Sequence, residues 1–191
     1  MSMTHPTRPS STAALVRWHQ RATDLAARLP DSLILLLGRV AIAAVFWRSG
    51  QTKVEGFALD LVDGRLSLGW PHLADSALAL FRDEYRLPLL PPAWAALAAA
   101  VAEHLLPALL LLGLGTRWAA LGLLGMTAVI QVLVYPDAWV THATWAGVLL
   151  WLVQRGGGAC SLDALLARRW VRAGATSAAA PGAGAPSRSA W

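Results

Sequence analysis

The side chains in this chain that could do chemistry stand where ionisable groups are costly. Glu103 and His104 interrupt an apolar run over residues 92–113, and Arg39 lies inside an earlier one. A charge in hydrocarbon costs at least a few kcal/mol, so such residues face protein, water or a ligand. A carboxylate held there can take a proton or bind a polar head group, and a guanidinium can pair with it. If the first run rises through a bilayer and the second descends, Arg39 stands about 10 Å and Glu103 about 16 Å above the inner edge. An arginine side chain covers that difference, so the sequence predicts that Arg39 and Glu103 meet. Pro107 has no N–H for the carbonyl of residue 103, and its ring pushes against that carbonyl. Arg39 could serve that freed acceptor as well. Two readings stand side by side: a salt bridge that locks two helices, and a site for a proton, a quinone or another small polar ligand. Snorkelling of Arg39 to the interface is a third.

The remaining polar groups are scattered. His104 points about 100° away from Glu103 around a helix, so the two do not form one site automatically. His142 sits about one turn inside the last apolar run. Gln131, Tyr135, Asp137 and His142, with Arg48 and Lys53 from the end of the first run, could line a polar mouth, although Asp137 could equally cap a helix. The ligand-binding candidates are Arg39, Lys53, Glu103, Gln131 and His142; none is assigned a catalytic role. A bis-histidine haem is rejected because His104 and His142 differ in depth by about 10 Å or more. Five scattered histidines and one cysteine show no metal-ligand spacing. No phosphate-binding glycine loop, nucleophile elbow or paired-carboxylate motif occurs.

The elements that must position these residues are membrane spans. Hydrophobic residues make up 56% of the chain and charged ones 14%, and they fall in blocks rather than at amphipathic spacing. The reading is an all-α membrane protein, a four-transmembrane-helix bundle with spans over 32–49, 93–114, 118–135 and 138–154. Each is long enough for a hydrocarbon core of about 30 Å. Tryptophans 47, 94 and 139 mark one interface, and 118 and 151 the other. Placing both termini in the cytoplasm gives that side Arg8, Arg17, Arg21, Arg28, Arg117, Arg155, Arg168, Arg169, Arg172 and Arg188. The other side then has five basic residues against seven acids, as the positive-inside rule favours. No basic stripe interleaved with aromatics suggests nucleic acid.

Around the membrane domain, 32–155, the chain divides further. Residues 1–31 form an amphipathic cytoplasmic arm rather than a cleavable signal. The extracytoplasmic loop over 54–92 is too long for a plain connector and is expected to hold a hairpin-plus-helix insertion between spans 1 and 2. An Asp63-Gly64 turn would pair Leu61 with Leu66 and Leu59 with Leu68. A following helix would present Leu73, Ala77, Leu80, Phe81 and Tyr85 on one face. Residues 156–172 form a cytoplasmic helix, capped at Ser161. The Ala/Gly/Pro/Ser-rich tail, 173–191, is expected to be disordered.

Several weak motifs, in order, resemble the DoxX family of small bacterial membrane proteins. They are Gly38-Arg39 followed by Phe46-Trp47-Arg48-Ser49-Gly50 and Lys53; Glu103 leading to Gly113-Leu114-Gly115-Thr116-Arg117; and Gly156-Gly157-Gly158 leading to Ser161-Leu162-Asp163. The likeness covers about residues 33–168. It implies four transmembrane helices, the bacterial cytoplasmic membrane and a loose association with quinone-linked redox systems, and by motif position it singles out Arg39, Lys53 and Glu103. The expected function is a membrane component of a redox or stress-related system, with quinone as the candidate ligand, in contact with lipid and with other membrane or extracytoplasmic proteins. The rival reading is a non-catalytic scaffold that recruits an extracytoplasmic partner through residues 57–86. A transporter is less favoured, since four spans without visible repeats would need a homodimer.

Overall fold

The computed structural model describes residues 11–60 and 64–178. Helix α1 (Ser11–Ala27) precedes α2 (Asp31–Gln51), which leads into strands β1 (Val54–Asp60) and β2 (Arg65–Leu73). A short helix α3 (Asp75–Leu80) widens into a π turn over Phe81–Tyr85. Then come α4 (Pro92–Leu112), α5 (Thr116–Leu133), a 3-10 turn (Pro136–Ala138), α6 (Trp139–Arg155) and α7 (Leu162–Ala178).

Three helices, α2, α4 and α5, are long and apolar enough to cross a membrane. Their most apolar windows are only 33%, 33% and 22% buried, so most of their hydrophobic surface faces outward and needs lipid to cover it. What is buried is a narrow seam. Leu35, Ile42 and Phe46 of α2 meet Leu110 of α4, Leu123 of α5 and Leu149 and Leu152 of α6. Small residues let the helices close up: Ala43, Ala119 and Ala120 are fully or almost fully buried in the same cluster.

Pro91 and Pro92 start α4, where a missing N–H costs nothing. The helix ends at Gly113, whose φ of +67° is the left-handed conformation that glycine tolerates best. Gly115, also left-handed, starts α5 three residues after α4 stops.

Strands β1 and β2 pair antiparallel, but not in the expected register. Leu59 lies opposite Leu66 and Phe57 opposite Leu68, two residues away from the pairing drawn about Asp63-Gly64. The reason is an anchor at Leu59: its N–H donates to Gln51 Oε1 (2.7 Å), and its carbonyl accepts from Trp47 Nε1 (2.9 Å). The last pair before the connection is Asp60 with Arg65; Leu61 and Asp63 lie outside the described residues. A shift by two keeps the same side chains on the same face, so Leu66, Leu68 and Trp70 still share one, and all three are exposed.

The next segment buries Ala77 and Phe81 and half-buries Leu73, Leu80 and Tyr85 against α4. Leu73 does so from the end of β2 rather than from a helix. At the other end of the chain, α7 continues to Ala178, past residue 173 where the sequence expects order to stop. Alanine is the strongest helix former, and residues 173, 175 and 178 are alanines.

Candidate functional site

Glu103 is buried at the middle of α4, and its partner is Lys53. The Lys53 ammonium lies 2.7 Å from Glu103 Oε2, with both side chains about 5% exposed or less. The same nitrogen donates to Ser49 O at 3.2 Å and to Ser49 Oγ at 3.0 Å. Its three N–H bonds therefore have three acceptors, which a buried ammonium requires. Local sequence explains the meeting. Helix α2 runs on to Gln51, so Lys53 is only two residues beyond it and can fold its stem back along the helix. Gly50 brings α2 and α4 together: a Cβ there would stand 2.9 Å from the His104 ring and 3.1 Å from Glu103 Cβ. The spacing Gly50-x-x-Lys53 is thus a close helix crossing followed by the cation that the crossing serves.

The expected pairing of Arg39 with Glu103 does not occur. Arg39 is buried, and it turns the opposite way along the bundle. Its Nε donates to Leu110 O (2.6 Å), Nη2 to Leu111 O (2.7 Å), and Nη1 to Gly157 O (2.9 Å) and Cys160 O (2.8 Å). The reason lies in helix ends. The last carbonyls of α4 lack the N–H groups of a further helical turn, Leu110 O accepting only from the Gly113 N–H at 3.1 Å, and the negative end of the helix dipole attracts a cation. A planar fork of five donors satisfies two carbonyls of α4 and two of the loop after α6 together. Leu110 is seven residues, about 10 Å, along α4 from Glu103. Depth arithmetic allowed Arg39 to reach either way, and the carbonyls at the helix end decided it. Arg39 ties the fold and lines no part of the Glu103 cavity.

That cavity is about 400 Å³ in volume, within the range usual for small-molecule sites. Phe46, Ala95, Ala99, Ala102, Met126 and Trp145 supply much of its apolar wall, and Lys53, Glu103, Tyr85, Tyr135 and His142 its polar points. Tyr135 donates its hydroxyl to Glu84 Oε1, and its ring meets Tyr85 edge-on at 5.7 Å. This contact joins the π turn to the end of α5.

His142 is buried, with Nδ1 2.7 Å from Gln131 Oε1 and its ring 5.3 Å from that of Trp145. Gln131 Nε2 in turn donates to Pro136 O at 2.7 Å. The amide is thereby oriented so that its oxygen faces His142, which places the proton of a neutral imidazole on Nδ1. Of the five sequence candidates, Lys53, Glu103 and His142 meet at one cavity. Gln131 stands behind His142, and Arg39 belongs elsewhere. Asp137, weighed as a helix cap, is exposed, and Ala138 occupies the cap position of α6.

His104 faces away from the cavity. Its Nδ1 lies 2.7 Å from Ala100 O, and its Nε2 lies 2.8 Å from Gln51 Nε2. It packs on Trp47 and Phe57, so it fastens β1 to α4. Sequence reasoning missed Ser49, Glu84 and Trp145. Only the serine carried a signal, lying one turn before Lys53.

The DoxX family model matches residues 34–136, over half of the chain. The chain belongs to the DoxX family. The DoxX match spans α2, the strands, α4 and α5, and so includes Arg39, Lys53 and Glu103; His142 and the glycine loop after α6 fall beyond it. No curated protein and no solved structure matches the chain.

Proposed function

We propose that this membrane protein is a four-span component of a quinone-linked redox system that holds a quinol-type head group in the Lys53–Glu103 cavity. The observation that carries the reading is the incomplete use of the buried carboxylate. Lys53 holds Glu103 Oε2, while Oε1 accepts no hydrogen bond from any described residue. In His142, Nδ1 is engaged and Nε2 is the nitrogen left as an acceptor. Two acceptors at one apolar cavity suit a flat, lipid-soluble ligand that brings two hydroxyl donors.

In this reading α6 is the fourth span. Its 17 residues rise about 25 Å, with Trp139 at one end and Trp151 near the other. The arginine distribution supports both termini in the cytoplasm, and the cavity then lies in the outer half of the bundle, beneath the segment 74–90. In this role the chain binds and orients the head group for a partner that does the redox chemistry.

Equilibrium titration of the purified protein with a short-chain quinol tests this. Glu103→Gln should weaken binding at least tenfold and His142→Phe several-fold, while Gln154→Ala, away from the cavity, should leave it unchanged. Equal affinity in Glu103→Gln and the parent protein would remove the site.

A further inference from the structure

At the end of the bundle where α4 passes into α5, a second cleft of about 570 Å³ lies between the start of α5 and the loop after α6. Two guanidiniums flank it. Among the described residues Arg117 has no ion-pair partner, and Arg155 has only a loose one, 3.7 Å from Asp31. The loop is Gly156-Gly157-Gly158, with φ of +75° at Gly156 and +72° at Gly158. Its bare backbone lets Arg117 lie close, with Nε 3.5 Å from where a Cβ on Gly156 would be.

The second, independent observation is Thr116. It is fully buried, lines this cleft, and its Oγ1 has no hydrogen-bond partner. A Cβ on Gly157 would stand 2.7 Å from that oxygen, so the missing side chain is what leaves room beside the hydroxyl. A buried hydroxyl without a partner is costly, and one kept at the edge of a cationic cleft lacks an acceptor. Asp163 does not supply it. Its carboxylate lies near the hydroxyl but is spent on the N–H groups of Gly115 (2.7 Å) and Thr116 (3.0 Å). Asp163 also lines the cleft, but its carboxylate is engaged by those two N–H groups, and two guanidiniums outnumber it.

We propose that this cleft binds the phosphate of an anionic phospholipid. Two guanidiniums and one hydroxyl donor are the complement of a phosphate ester. The exposed Trp118 beside them is the residue type that settles at the head-group layer. Basic pockets between spans recognise anionic lipid in this way. The site is independent of the Glu103 cavity, from which it is separated by Arg39 and its carbonyl partners.

The test uses the full chain, delipidated and placed in phosphatidylcholine nanodiscs, with phosphatidylglycerol or inorganic phosphate added. The parent protein should gain thermal stability with phosphatidylglycerol at concentrations where inorganic phosphate has no effect. The Arg117→Gln, Arg155→Gln double variant should bind that lipid at least tenfold more weakly, and Arg48→Gln, at the opposite end of α2, within twofold of the parent. Thr116→Val separates a ligand role from a structural one. It should raise the melting temperature of the lipid-free protein, because an orphaned hydroxyl is removed, yet weaken lipid binding several-fold. Equal loss in Arg48→Gln, saturation by inorganic phosphate alone, or a lower lipid-free melting temperature in Thr116→Val would each overturn the assignment.

Discussion

Lys53 and Glu103 form a buried pair whose value shows only when one partner is removed. Breaking such a pair strands an uncompensated charge and typically costs about 3–5 kcal/mol, whereas replacing both with apolar groups can be nearly neutral. Lys53→Met and Glu103→Leu should therefore each destabilise the protein severely in detergent unfolding, and the double variant should recover most of the loss. If the pair is a ligand site, that stable double variant must still fail to bind quinol. Arg39 belongs to a different class. In Arg39→Lys the charge survives, but one ammonium has three donors for the four carbonyls that Arg39 now holds. A loss on the order of 3 kcal/mol is expected from the stranded acceptors, with quinol affinity unchanged in the protein that remains folded. The two cations thus separate cleanly: loss of one costs binding, and loss of the other costs only the fold. Arg39 was legible in the sequence as a residue too costly for lipid, and Lys53 by its place in the Gly50-x-x-Lys53 motif. Their partners were not, because depth along a helix leaves a long side chain free to turn either way.

Turns and helix ends set the positions of these residues. Gly113 adopts φ +67°, and a Cβ there would meet Ser161 Cβ at 2.5 Å and Arg39 Nη2 at 2.7 Å. Gly113→Ala should cost more than the ~1 kcal/mol of a simple left-handed penalty, because the Arg39 fork must also move. Circular dichroism melts would measure it. Asp163, at the same end, is held below the usual carboxylate range. Burial pushes its pKa up, but the N–H groups of Thr116 and Gly115, with the Arg39 charge, pull it further down. Its contribution to stability is complete above the ordinary carboxylate pKa and is lost as pH falls through the depressed value. Amide exchange at Gly115 and Thr116 should accelerate in that acid window, and Asp163→Asn should show no such step. Helix positions were largely readable, since proline starts α4 and glycine ends it. The strand register was not readable, because the anchor at Leu59 comes from Gln51 and Trp47, whose side chains carry no turn signal.

At the scale of the whole molecule, the outward hydrophobic surface requires a bilayer, and the proposed orientation puts the arginine-rich side in the cytoplasm. Cys160 is exposed after α6, and Ser67 is exposed on β2. An impermeant maleimide added to intact cells should label Ser67→Cys in a Cys160→Ser background and should reach the native Cys160 only after permeabilisation. The reverse pattern would invert the topology. Block hydrophobicity and Trp placement revealed the membrane class without coordinates. The cavity was hidden because Tyr85, His142 and Trp145 come from segments far apart in sequence, and no spacing rule links them.

The most direct measurement is photolabelling with an azido-quinone in native membranes, mapped by mass spectrometry. The account predicts adducts on cavity residues such as Tyr85, Met126, Tyr135 and Trp145, lost in the stable Lys53→Met, Glu103→Leu double variant. Adducts confined to the outer lipid-facing surfaces, or cavity labelling undiminished in that variant, would contradict it.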